Sequence, residues 1–236
     1  MIELKNISHK YGEKFVLSGL DFFAEGRKIT CLLGTSGSGK TTILRIIAGL
    51  ETPVSGSVLI DNKIVTENGR LIVPPHKRNL GFIFQDLALW PHLSVYENIA
   101  FGLKARKEKN IERKVSETLD FFGIGDEAKK FPHQLSGGQK QLVAIARAIV
   151  LEPQILLMDE PLANLDVKLK TKTIELIKKL RDEFNLTILY VTHDHKEAFS
   201  LADKIAVLNN GKIEDEGTPD ELSVSENVFV RFFIER

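Results

Sequence analysis

The chain contains a single cysteine, Cys31, and so cannot form an internal disulfide. That excludes the disulfide-stapled secreted scaffolds and makes a reducing compartment the expectation. No run of 18 apolar residues occurs, so the sequence offers no membrane-spanning helix. The opening residues Met1-Ile2-Glu3-Leu4-Lys5-Asn6 are charged and lack the apolar stretch of a signal peptide. An excess of one charge is also missing. Lys+Arg and Asp+Glu each number 32, which leaves no net charge and no whole-chain electrostatic case for nucleic acid. The basic cluster Lys104, Arg106, Lys107, Lys109, Arg113, Lys114 is interrupted by Glu108 and Glu112 and reads as a solvated helix face. A nucleic-acid partner is therefore not expected. Repeats and low-complexity tracts are absent. A chain of 236 residues buries roughly 70–75% of the surface its unfolded form exposes, enough to fold without a structural metal.

The feature that is present is Gly34-Thr35-Ser36-Gly37-Ser38-Gly39-Lys40-Thr41, a G-x-x-x-x-G-K-T phosphate-binding loop. The apolar run Ile29-Thr30-Cys31-Leu32-Leu33 before it reads as a buried strand. The segment from Thr42 to Leu50 after it reads as an amphipathic helix closing at Gly49. Strand, glycine-rich turn and helix start are the context this chemistry needs. The glycines let the backbone curl so that several N–H groups face one phosphate, and the positive end of the helix adds to them. Lys40 is expected to reach the β- and γ-phosphates and the Thr41 hydroxyl to ligate Mg²⁺.

The surrounding pattern is α/β. Residues 2–23 alternate apolar and polar residues as antiparallel strands do, and residues 58–65 read as a hairpin turning at Asp61-Asn62. Residues 54–56 and 67–70 read as turns. Leu80 to Phe84 is a strand. From 94 to 151 the periodicity becomes helical, with breaks at Gly123, Gly125 and Pro132. Strands resume at 155–158 and 187–191 around a long helix at 167–185, then a short helix at 198–202 and a hairpin turning at Asn209-Asn210-Gly211. The expectation is a phosphate-loop core with a mostly parallel sheet, an N-terminal antiparallel β subdomain and an inserted α-helical subdomain. The whole chain, 1–236, reads as one domain. Residues 1–93 and 152–236 form its α/β part and 94–151 its helical part.

Two further motifs carry chemistry. Asp159 and Glu160 end a buried strand, where Asp159 can hold Mg²⁺ and Glu160 can orient or deprotonate an attacking water. Such a pair could also satisfy a helix N-terminus. Leu135-Ser136-Gly137-Gly138-Gln139 places a capping serine before two glycines, a second anion-seeking helix start. His193 and His195 flank Asp194, but no third metal ligand is evident, so His195 reads as the start of the next helix.

Taken in order, these motifs resemble the nucleotide-binding subunit of ATP-binding-cassette (ABC) transporters, over nearly the whole chain. The resemblance implies ATP and Mg²⁺ as ligands. The nucleotide would be held by Gly34, Thr35, Ser36, Gly37, Ser38, Gly39, Lys40, Thr41 and Thr42, with Tyr11 stacked on adenine. Thr41, Gln85 and Asp159 would serve the metal. Glu160 would be the general base, His193 a γ-phosphate contact, and Lys40 and Gln85 further catalytic groups. Ser136, Gly137, Gly138 and Gln139 would close on the nucleotide of a second subunit in a head-to-tail dimer. Asp166, in Ala163-Asn164-Leu165-Asp166, would couple the two sites.

Residues 76–102 look like the importer branch that handles sugars, polyamines, sulfate, molybdate and ferric iron. That branch implies membrane-spanning permease subunits, an extracytoplasmic solute-binding protein acting indirectly, and a peripheral place on the cytoplasmic face of the membrane. The usual C-terminal regulatory β domain is not expected within this sequence. Leu142 and Ala163 depart from the family pattern at positions that bind no phosphate. Exporter ATPases, soluble ABC-type proteins and a non-hydrolysing nucleotide sensor remain as alternatives. The apolar segment from Leu87 to Leu93, with the single tryptophan Trp90, is expected to line a groove for a permease helix, or else to pack within the helical part.

Overall fold

The computed structural model describes residues 1–163 and 165–234, so Asn164 lies outside the described residues. Among the described residues the strands form two sheets. The first is antiparallel and ordered β2-β1-β4-β5-β6, from β1 (Ile2–Tyr11), β2 (Lys14–Ala24), β4 (Ser55–Ile60), β5 (Lys63–Glu67) and β6 (Arg70–Leu71). The second is ordered β11-β10-β3-β9-β8-β7, from β3 (Ile29–Gly34), β7 (Leu80–Ile83), β8 (Ile155–Asp159), β9 (Thr187–Thr192), β10 (Lys204–Asn209) and β11 (Lys212–Gly217). Its pairings are parallel except for the β10–β11 hairpin. The expected α/β class, with a mostly parallel core and an antiparallel N-terminal part, is the observed one.

The central strands β3, β8 and β9 are buried end to end and mostly apolar, because both of their faces are covered. Along β3, Ile29, Cys31 and Leu33 join the core facing the later helices, while Leu32 joins the core facing the antiparallel sheet. In β9, Ile188 and Tyr190 face one way and Leu189 and Val191 the other. This two-residue alternation divides one sheet between two cores. The antiparallel sheet and α1 (Lys40–Ala48) cover one side. On the other side lie α2 (Val95–Ala105), α3 (Ile111–Phe122), α4 (Gly137–Ile149), α5 (Val167–Phe184) and α6 (His195–Leu201). Helices α2, α3 and α4 pack on one another, and α4 also packs on β7. They form the inserted helical part.

Local chemistry explains the boundaries. Asp61 and Asn62 take φ of 48° and 62°, as a two-residue hairpin turn requires. Ser94 and Glu97 form a reciprocal capping box that starts α2, and Asp166 caps α5 through the Leu169 N–H. Some expectations need correction. Ser55 and Gly56, read as a turn, belong to β4. The ladder absorbs them as a register shift opposite Lys5 and Ser8, with Gly56 at φ 91°. The turn read at 67–70 connects β5 to the short β6. Helix α6 starts at His195, as read from the sequence, and so takes in the three residues before the stretch read at 198–202; Asp194 accepts the Lys196 and Glu197 N–H groups there. Helices α7 (Pro219–Ser223) and α8 (Val228–Ile234) were not anticipated, although Thr218-Pro219-Asp220-Glu221 carries the signal for the first.

Arg78 ties the two halves of the first core together. Its guanidinium is buried and donates to the carbonyls of Ile46 and Ile47 at the end of α1, to Val65 O and Thr66 Oγ1 on β5, and to Val73 O. Burial pulls its pKa down to about 10. The cation sits where the α1 macrodipole is negative, which favours it there.

Candidate active site

The loop between β3 and α1 is shaped for an anion. A Cβ at Gly34 would run into the Leu208 carbonyl, and one at Gly39, where φ is 108°, would meet Leu17 Cδ2 at 2.8 Å. Glycine is therefore needed at both. The first turn of α1 has neither a side-chain cap nor an acidic residue, so its orphan N–H groups keep their capacity for an anion. Among the described residues the buried Ser38 hydroxyl has no hydrogen-bond partner. Lys40, buried in the same loop, donates to Gly34 O and Thr35 O, both at 2.8 Å. Burial lowers the lysine pKa, and the Glu160 and Asp159 carboxylates partly restore it.

The carboxylate pair comes from the end of β8. Thr41 Oγ1 donates to Asp159 Oδ1 at 3.0 Å. Burial raises the Asp159 pKa; the Thr41 hydrogen bond opposes this and the charge of Glu160 adds to it. Glu160 Oε1 lies 3.9 Å from the Lys40 ammonium, and Glu160 Oε2 lies 2.8 Å from Nδ1 of His193. The Glu160 backbone sits at φ 42°, in the left-handed region that a glutamate rarely occupies. Its N–H bonds to Val191 O at 3.0 Å. The neighbouring strand thus holds this strained residue in place.

These groups open onto a cleft of about 670 Å³, which is lined by Thr35, Ser36, Gly37, Gly39, Lys40, Thr41 and Thr42 together with Tyr11, Gln85, Glu160 and His193. Gln85 follows β7 and is exposed. Tyr11 is half exposed, and its hydroxyl bonds to Glu51 and lies 3.4 Å from Thr42 Oγ1. Burial, then the Glu51 hydrogen bond, push the phenol pKa up. Glu51 also meets Arg45 at 3.2 Å and lies 3.2 Å from Nε2 of His9, whose ring stands edge-on to Tyr11 at 4.9 Å. Glu51, His9 and the lining residues Val16, His195 and Phe233 were missed in the sequence. Glu51 lies 40 residues from Tyr11, and no spacing rule connects them.

The remaining candidates lie elsewhere. Ser136, Gly137, Gly138, Gln139 and Asp166 do not line this cleft. Ser136 and Gln139 cap each other at the start of α4, and Gln139 Nε2 also donates to Glu127. The segment after Gln85 is folded back rather than loose. Arg147 donates to Leu87 O and Ala88 O, and Asn98 bonds Trp90. The Trp90 ring packs on Phe101 at 4.1 Å, with the Arg147 guanidinium 4.9 Å from its centroid. Both rings stay partly exposed.

The ABC transporter family model matches residues 17–163. The chain belongs to the ABC transporter family. Among curated relatives, the spermidine/putrescine import ATP-binding protein PotA of Clostridium acetobutylicum is 43% identical over 99% of this chain. The Fe(3+) ions import ATP-binding protein FbpC of Photobacterium profundum is 43% identical, and the sulfate/thiosulfate import ATP-binding protein CysA of Bacillus cereus 44% identical, each over 94% of the chain. The chain spans 66% of the first of these and 62% of the other two. Among solved structures, the dimeric structure of MJ0796, a bacterial ABC transporter cassette, superposes with a TM-score of 0.82. It is 34% identical, over 93% of this chain and 99% of that one. A second structure of the same cassette, with a TM-score of 0.81, is a dimeric post-hydrolysis state bound to ADP and Pi. The ABC cassette fold is therefore the fold of this chain.

Proposed function

We propose that this cassette binds and hydrolyses ATP and so energises solute import through a membrane permease. The observation that carries the reading is the continuous set Lys40, Thr41–Asp159 and Glu160–His193 around an uncapped helix start. The relatives named as import ATP-binding proteins support the direction of transport.

The residues present fit a magnesium nucleotide. Asp159 and the Thr41 hydroxyl would hold Mg²⁺, with Gln85 beside them. One carboxylate together with substrate phosphates is how Mg²⁺ is usually bound. Mg²⁺ bound there would supply positive charge to the nucleotide's phosphates. The backbone N–H groups of residues 35–41 receive the phosphates, and Lys40 exchanges its two loop carbonyls for phosphate oxygens. Tyr11, anchored by Glu51, offers its ring to the adenine. Glu160 takes a proton from the attacking water. His193, whose Nδ1 faces Glu160, steadies that carboxylate and leaves its other nitrogen for the γ-phosphate.

Ser136–Gln139 and Asp166 lie off the cleft of their own chain. That supports a head-to-tail dimer in which each signature segment completes the partner's site, as does the dimeric state of the cassette relative. Among the described residues no helix is long and apolar enough to cross a membrane. Attachment to the cytoplasmic face of the membrane would therefore come through permease subunits, with a solute-binding protein acting beyond them. The exposed side of the Trp90–Phe101 ring pair, in the segment that follows Gln85, is the surface for a permease helix. The test is Mg²⁺-dependent ATP turnover by the purified chain, together with ATP-driven dimerisation. A protein that binds ATP but releases no phosphate, alone or with its permease, would overturn the reading.

A further inference from the structure

Behind His193 lies a cluster, centred on a buried carboxylate, that the proposed chemistry does not use. Glu197, on α6, is almost wholly buried. Its Oε2 accepts from the Tyr190 hydroxyl at 2.9 Å and the Thr192 hydroxyl at 2.8 Å, and its Oε1 accepts from Nζ of Lys170 at 2.6 Å. The same ammonium reaches Asp194 Oδ2 at 3.2 Å. Asp194 in turn caps α6, and its own N–H donates to Thr192 Oγ1 at 3.0 Å. Thr192 and Asp194, the residues on either side of His193, are therefore both fixed by one cluster. Among the described residues the cation that pairs with both carboxylates comes from another element: it is Lys170, in the first turn of α5.

That turn is itself pinned. Leu169 packs so tightly on Gly138 that a Cβ there would meet Leu169 Cδ2 at 2.5 Å. A buried carboxylate with two hydroxyl donors still needs a countercharge, because leaving a buried charge unpaired is strongly unfavourable. Partial burial works against the charged lysine, but Glu197 and then Asp194 more than offset this and hold its pKa above the ordinary range.

We infer that Lys170 is a positioning residue for the reaction: by drawing Glu197 and Asp194 together it holds His193 against Glu160 and registers both to the start of α4 through Leu169. The inference rests on the ATPase reading for its kinetic consequence but not for its geometric one.

Two measurements on the full chain test it. The first is the imidazole spectrum of ¹⁵N-histidine-labelled protein at constant pH, with the His193 signal assigned by its loss in His193→Ala. Lys170→Met and Glu197→Gln should both displace or broaden that signal, and Lys170→Arg should restore it. The second is steady-state turnover. Lys170→Met should lower kcat ten- to a hundredfold, the order that misplacing a reacting group costs, with KM for ATP little changed and Lys170→Arg close to wild type. In a His193→Ala background the same substitution should cost less than about twofold, since the two residues would act through one interaction. An unchanged His193 signal in both Lys170→Met and Glu197→Gln overturns the inference. So does an equal loss of kcat in the His193→Ala background. Should Lys170→Met not fold, Glu197→Gln serves in its place for both measurements. If the wild-type protein shows no turnover while the His193 signal responds as expected, the ATPase reading fails and the role of Lys170 stands.

Discussion

Replacing Glu160 by glutamine separates binding from chemistry in this site. The carboxylate makes two contacts, to His193 Nδ1 at 2.8 Å and to the Lys40 ammonium at 3.9 Å. A glutamine oxygen can still accept from the imidazole, so the strained backbone at φ 42° and the cleft wall should persist. The amide cannot take a proton. General-base catalysis contributes typically about 10²–10⁴-fold, so kcat should fall by that factor, equivalent to about 2.7–5.4 kcal/mol of barrier. Binding should move the other way. An ammonium and a carboxylate 3.9 Å apart attract by about 4 kcal/mol at an effective dielectric of 20, before the cost of desolvation. Glutamine removes that competitor and leaves Lys40 free for phosphate. Phosphate release and nucleotide titration should therefore show slow turnover with equal or tighter MgATP affinity. Light scattering after size exclusion should show an ATP-bound dimer. Turnover within threefold of wild type would refute the assignment of Glu160, whatever the oligomeric state.

Other substitutions probe the rest of the argument. Arg78→Met removes the guanidinium donors of Ile47 O, Val73 O and Thr66 Oγ1, while Ile46 O keeps the Gly49 N–H and Val65 O keeps the Ile72 and Val73 N–H groups; it should lower stability by about 2–4 kcal/mol, and an unchanged urea midpoint would contradict this. Asp159→Asn should raise the melting temperature of the metal- and nucleotide-free protein at neutral pH while abolishing turnover. The Asp159 carboxyl has its folded pKa raised, mainly by burial, so the folded state holds the proton more tightly than the unfolded chain. Stability is therefore lost as pH rises through the carboxylate range and stays lost above it. A lower melting temperature would show that the charge stabilises the empty site. Ser136→Arg and Lys40→Ala should each be inactive. Mixed in equal amounts they should recover about a quarter of wild-type turnover if the sites act independently, because random pairing in a two-fold dimer leaves one intact site in half the dimers. No recovery would count against independent head-to-tail sites.

The phosphate loop, the Asp159–Glu160 strand end and the helical insertion were legible because each is a local pattern. Glycines at fixed offsets, apolar runs ending in carboxylates, and a change of period from two to near four can all be read from neighbours in the chain. The assembly of Glu160 with His193 needed the resemblance, since only the parallel pairing of β8 with β9 brings those residues together. Glu51 beneath Tyr11, Arg78 beneath α1 and Lys170 beside Glu197 were not legible at all. Each is a charged residue whose sequence neighbours look like ordinary surface, and only long-range packing supplies its partners. The strained φ of Glu160 is likewise invisible from the sequence, because nothing in Met-Asp-Glu-Pro announces a left-handed glutamate.

Cys31 gives the molecule a built-in clock. The thiol lies fully buried in the middle of β3, the strand that leads into the phosphate loop, and burial pushes its pKa well above the ordinary thiol value. Thiol reagents attack the thiolate, so the native protein is silent to them. Alkylation must wait for the central strand to open. The labelling rate thus times the opening of the whole two-sided core rather than the fraying of its edge. A ligand held by the loop that follows β3 should slow that rate in proportion to its occupancy. With this one thiol hidden, a cysteine introduced on the surface, for instance at exposed Ser116 on α3, could be labelled alone and used to watch the protein pair with its partners.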